Sequence, residues 1–93
     1  GSDGARLVYI ISDRNNEISE RIMYEVNAGV SFIRGGGAYT GNDKKILLCA
    51  LRMRALPSVR DIVKDEDEGA FMIVTKATSV FGEGFTPNSG QEL

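Results

Sequence analysis

Two segments of helical periodicity are each framed by strand-length apolar runs, and few folds accommodate that order. In the first, Ile18, Ile22 and Val26 repeat every four residues with Met23 beside them, while Glu17, Arg21 and Glu25 form oppositely charged i,i+4 pairs on another face. In the second, Leu56, Val59, Ile62 and Val63 keep helical spacing, and Pro57 stands in the first turn, where a missing N–H does no harm. Asn15 or Asn16 is expected to cap the first helix and Gly29 to stop it. Four acids, Asp65 to Glu68, oppose the macrodipole at the end of the second, so its last turn is expected to fray or to be a solvated turn.

The flanking runs read as strands. Leu7-Val8-Tyr9-Ile10-Ile11 is β-branched and aromatic, Lys45 to Arg52 is apolar through its middle, and Ala70 to Thr75 follows the second helix. Val30-Ser31-Phe32-Ile33 alternates and then meets glycines, which predicts a short or irregular strand at an edge. The order β-α-β-β-α-β predicts an α+β, ferredoxin-like sandwich over residues 6–85. In it a four-stranded antiparallel sheet carries both helices on one face and holds strands one and three in the centre. Residues 1–5 read as a flexible N-terminus or cleavage scar, and 86–93 as a flexible tail.

Two helices cover one face of such a sheet, yet the strands are apolar on both. Leu7, Tyr9 and Ile11 oppose Val8 and Ile10; Ile46 and Leu48 oppose Leu47, Cys49 and Leu51; Phe71 and Ile73 oppose Met72 and Val74. The second apolar face must be hidden, so the pattern predicts self-association through the open sheet face or burial against another domain.

Function is sought first in Gly35-Gly36-Gly37-Ala38-Tyr39-Thr40-Gly41-Asn42-Asp43-Lys44-Lys45, between the second and third strands. Four of the eleven glycines lie within seven positions there, which suggests backbone at positive φ or in close approach to a ligand. Backbone N–H groups in such a bend form an anion-binding nest, and a hydroxyl with nearby lysines adds charged donors. Gly37, Thr40, Gly41, Lys44 and Lys45 supply these parts, and Tyr39 offers a ring for stacking. The spacing matches neither a Walker loop nor a dinucleotide fingerprint. The plainer alternative is a bulged hairpin whose lysines are solubilising charges. Arg52 and Arg54 are read as a solvated strand end, and Gly82 to Phe85 as a packing or interface segment.

Composition excludes much chemistry. The chain of 93 residues has no histidine and one cysteine, Cys49, so zinc sites, disulfide frameworks and Ser–His or Cys–His catalysis have no material. Cys49 reads as a small apolar core residue. The acidic run lacks the alternate spacing of an EF-hand loop, and no metal or cofactor is expected. Net charge is −2, although seven of the eleven basic residues lie between Arg34 and Lys64. Asp13, Asp43 and Glu83 are the acids available for catalysis, and none stands beside an evident nucleophile, so no enzyme is expected.

Val8-Tyr-Ile-Ile-Ser12, Glu17-Ile-Ser-Glu-Arg-Ile22, Gly37-Ala-Tyr-Thr-Gly41, Asp43-Lys-Lys-Ile-Leu-Leu-Cys49 and Gly82-Glu-Gly-Phe85 resemble the C-terminal cytoplasmic domain of the YitT family of bacterial integral membrane proteins. The resemblance covers roughly residues 6–86. It implies a P-II-like fold whose members form trimers with their sheets inward, and a loop at residues 35–45 that contributes to ligand and partner binding between subunits. It also implies a soluble fragment on the cytoplasmic side of the membrane, next to the parent's membrane-embedded portion. The turn Asp67-Glu68-Gly69-Ala70 has none of the glycine-lysine phosphate loop that P-II proteins place there, so the resemblance does not extend to ATP binding in their manner.

The sequence therefore supports, first, a regulatory domain binding a small anionic metabolite or nucleotide and forming a homo-oligomer, with a trimer preferred. The second reading is a purely structural oligomerisation module. The third, an RNA-binding module of the same strand order, lacks the stacking aromatics expected on strand three, and no nucleic-acid partner is expected.

Overall fold

A computed structural model of the chain describes residues 4–36, 38, 41 and 43–82, excepting the side chain of Asp43. Strand β1 (Ala5–Ile11) leads through a turn into α1 (Asn15–Arg21), which continues as a π-helical stretch (Ile22–Val26). Then come β2 (Val30–Gly36), β3 (Asp43–Arg52), a single 3₁₀ turn (Met53–Ala55), α2 (Leu56–Glu66) and β4 (Phe71–Lys76). The sheet order is β2-β3-β1-β4 with every pairing antiparallel, so the two most apolar strands are central, as the ferredoxin-like topology requires.

Alternation along the two central strands divides their side chains between the faces. Val8, Ile10, Leu47, Cys49 and Leu51 face the helices and are buried with Ile18, Ile22, Leu56, Val59, Ile62 and Val63. Burial also pushes the Cys49 thiol up to about 11, in keeping with a core residue and not a nucleophile. Among the described residues, no layer covers the opposite face. Leu7, Tyr9, Ile11, Ile46 and Leu48 are only half-buried there, and Phe71, Ile33 and Ile73 are 63%, 40% and 42% exposed.

Three local features differ from expectation. Neither Asn15 nor Asn16 caps α1; Arg14 holds the cap position and Asn15 is already helical, because its buried amide is used elsewhere. The helix ends at Asn27, whose φ of 60° and ψ of 42° place it in the left-handed region, two residues before Gly29. The end of α2 is not left to solvent. Asp65 and Glu66 remain helical and receive Arg21 at 2.7 and 3.1 Å, and Arg14 reaches Glu66 at 3.0 Å. Asp67 then accepts hydrogen bonds from Ser12 Oγ and the Gly69 N–H. Asp65 and Glu66 tolerate the wrong pole of the dipole because Arg14 and Arg21, from the β1–α1 side, neutralise them.

Candidate functional site

The β2–β3 hairpin carries the predicted loop at its tip. Gly35 and Gly36 belong to the ladder, paired with Lys44 and Asp43, so β2 is seven residues long rather than short and irregular. Among the described residues a Cβ at Gly35 would meet only Ile46 Cδ1, at an ordinary 3.9 Å, so space does not require glycine at that position. Gly41 has a φ of 72°, so the loop visits the left-handed conformation that its glycine content foretold. Gly37, Tyr39 and Thr40 lie outside the described residues.

Lys44 and Lys45 are described, and the strand period separates them. Lys44 pairs with Gly35 and projects on the open face with Ile46 and Leu48, where it is exposed. Lys45 projects on the helix side. Its ammonium donates to Asn16 Oδ1 at 2.8 Å and stands 4.6 Å from the Phe32 ring centroid, a cation–π contact. The two lysines thus serve different faces of the sheet.

Arg34 joins the site, although no local motif marks it. It is the direct cross-strand neighbour of Lys45, so two cations face each other at the foot of the loop, an arrangement that repels unless an anion or dipole intervenes. Counting the hairpin register back from its glycines would have found the pair.

Asn15 anchors this foot. Its Nδ2 donates to the Ile10 and Lys45 carbonyls, each at 2.9 Å, tying the end of β1 and the start of β3 to the first turn of α1. Only 3% of Asn15 is exposed, so these are bonds made away from water. The start of β3, from which Lys45 projects, is therefore tied to the first turn of α1. Arg52 and Arg54, read from sequence as a solvated end, lie at the far end of β3; Arg52 is half-buried and both take part in side-chain interactions.

Among the described residues no three acidic or cysteine side chains stand close enough to hold a metal ion, and no helix is long and apolar enough to cross a membrane.

Comparison with known proteins places this geometry. A family model described as an uncharacterized protein conserved in bacteria, DUF2179, matches residues 28–82, which takes in the hairpin, β3, α2 and β4. The UPF0750 membrane protein YvjA of Bacillus subtilis is 34% identical over 85 residues, 91% of this chain and 30% of that protein. YitT of the same organism, also a UPF0750 membrane protein, is 27% identical over 73 residues. The chain thus spans about 30% of the length of YvjA and of the Bacillus subtilis relatives YxkD and YpjC. A crystal structure of a DUF2179 protein from Eubacterium ventriosum superposes with a TM-score of 0.71 at 36% identity, over 78% of this chain and all of that one. CutA1 from Oryza sativa superposes with a TM-score of 0.61 at 14% identity, over 87% of each chain, a likeness of fold alone.

Proposed function

The chain belongs to the DUF2179 family and is a domain of the kind carried by UPF0750, or YitT-family, membrane proteins, and on that premise we propose that it is a regulatory domain. It self-associates through its open sheet face, a trimer being preferred, and binds a small anionic metabolite or nucleotide at the loop between β2 and β3. It acts on the cytoplasmic side of the membrane, on the membrane-embedded part of its parent. The observation that carries the reading is the uncovered apolar face: Phe71, Ile73 and Ile33 exposed beside half-buried Tyr9, Ile11, Ile46 and Leu48 on one side of a four-stranded sheet. Lys44 stands on that same face, so self-association brings it towards a neighbouring copy's surface.

For the ligand, the supporting features are Gly41 at positive φ and the cations Arg34, Lys44 and Lys45 at the foot of the loop, with Gly37, Tyr39 and Thr40 completing the proposed set. Ordering of the loop by an anion between subunits would change what the hairpin tip presents to the membrane portion. One observation favours the rival, a structural oligomerisation module: Lys45 already has Asn16 and the Phe32 ring as partners.

A thermal-unfolding screen against nucleotides, cyclic dinucleotides and anionic metabolites, on a sample first shown to be one defined oligomer, separates the two. A ligand at a hundred times its Kd adds about 2.7 kcal/mol per site, which for a domain of this size is a rise of roughly 10 °C or more. The sensor reading expects a selective shift that is lost in the Lys44→Ala, Lys45→Ala double variant while the oligomer persists. A flat screen on an intact oligomer supports the structural module.

A further inference from the structure

Alternation on the edge strand β2 sends Val30, Phe32 and Arg34 to the helix side of the sheet, where they face Cys49, Leu47 and Lys45 of β3. The helices cover the β3 part of this surface and leave the β2 part open. Leu47 is fully buried, whereas Phe32, its direct cross-strand partner, is 41% exposed, and Arg34 is exposed. An aromatic ring and a guanidinium thus share one face of one strand, their Cα atoms about 7 Å apart.

Lys45 joins the ring to the charge. Its ammonium has three N–H donors; one goes to Asn16 Oδ1 at 2.8 Å, and the charge stands 4.6 Å from the Phe32 centroid. Donors remain for a further acceptor, directly beside Arg34 across the ladder. Two cations so placed repel, and neither has an ion-pair partner among the described residues. Asp43, two positions before Lys45, is the acid nearest to it in sequence, and its side chain lies outside the described residues.

A ligand that answers these features carries both a planar ring and a phosphate. The ring stacks on Phe32, a contact that every base can make. The phosphate accepts charged hydrogen bonds from Arg34 and Lys45 and relieves their repulsion. One ribose bridges the two. Inorganic phosphate or a simple carboxylate would use the cations and leave the exposed ring without a role, and a single stacking ring suits a mononucleotide better than a strand of nucleic acid. We infer that the helix side of the β2–β3 hairpin, at Phe32, Arg34 and Lys45 with Asn16 holding the lysine in place, binds the base and phosphate of a nucleotide. The inference rests on the anion site proposed at this loop and narrows it, in ligand to a nucleotide and in place to the side of the sheet opposite Lys44.

Calorimetric titration of the chain with AMP, GMP, CMP and UMP, beside ribose 5-phosphate and inorganic phosphate, tests this. At least one nucleotide is expected to bind about tenfold tighter than ribose 5-phosphate. Phe32→Leu, which keeps apolar bulk at that position, should bring the ratio close to one. Arg34→Gln should weaken the nucleotide about tenfold, while Lys76→Gln, at the far end of the sheet, leaves it unchanged. Arg34 is exposed, so Arg34→Gln keeps the test valid if Phe32→Leu disturbs folding. Ribose 5-phosphate binding as tightly as the nucleotides overturns the inference and leaves the anion site standing. Loss of binding in Lys44→Gln with none in folded Arg34→Gln overturns it by moving the anion to the open face. Binding that appears only in Asp43→Asn overturns it by making Asp43 the internal counter-ion, and tighter binding of a single-stranded oligonucleotide than of any mononucleotide does so in favour of nucleic acid. Absence of binding by all four nucleotides also overturns it, and the anion site falls with it only if the thermal-unfolding screen is flat as well.

Discussion

At the scale of single residues, Asn15 carries more of the site than its position suggests. One buried amide group satisfies two backbone carbonyls that belong to neighbouring central strands. Asn15→Ala leaves both without a donor away from water, and the expected loss is about 2–3 kcal/mol, read by urea unfolding. Asn15→Asp should be worse at neutral pH, since a carboxylate would face two carbonyl oxygens, and should recover partly in acid; equal stability of the two variants at all pH would contradict the assigned bonds. In the sequence, Asn15 reads only as a candidate cap. A side chain that bonds to carbonyls 5 and 30 residues away has no signature in local spacing. Cys49 was legible, because an apolar run around a lone cysteine leaves it little but the core. Lys44 and Lys45 were legible as a pair but not as a pair divided by the sheet, although the strand period of two separates any neighbours in a ladder.

At the scale of elements, the strands and helices were plain in the periodicity, and their ends were not. The end of α2 shows why. Helix dipole and like-charge repulsion both argue against Asp65 and Glu66 remaining helical, and two arginines distant in sequence override them. Glu66 is held below the ordinary carboxylate value of 4.5, chiefly by the hydrogen bond from Arg14 and then by that from Arg21. A carboxylate whose pKa is lowered by folding contributes stability that is fully present above its unfolded value and is lost as pH falls through the lowered one. Glu66→Gln should therefore melt below the unmodified chain at neutral pH, and the gap should close as pH drops below about 4.5. Melting curves that keep the same separation into acid would show that the Arg14–Glu66–Arg21 contacts do not hold the helix end. The π-helical stretch after Arg21 was also hidden: Ile18, Ile22 and Val26 fit an ordinary helix, and the wider turn appears only where the chain must reach Asn27 in the left-handed conformation.

At the scale of the whole molecule, the sequence already implied a sheet with one face too many. A period of two with apolar residues at both parities specifies two buried faces, and a chain of 93 residues with two helices covers one. The structure places both helices on the Val8, Ile10, Leu47 and Cys49 side and leaves Ile73, Phe71 and Ile33 on the other, as that count requires. Likeness to CutA1 in fold agrees with this layered arrangement.

Sedimentation equilibrium of the chain beside its Ile73→Lys variant tests the central claim most directly. Ile73 lies on the open face of an edge strand and is 42% exposed, so lysine there costs the helix-side core nothing. The account predicts a discrete oligomer at micromolar concentration for the unmodified chain, and a shift towards folded monomer, with unchanged far-ultraviolet dichroism, for the variant. A unmodified chain that sediments as a monomer across the same range, or a variant whose association is unaltered, would contradict burial of the open face by self-association.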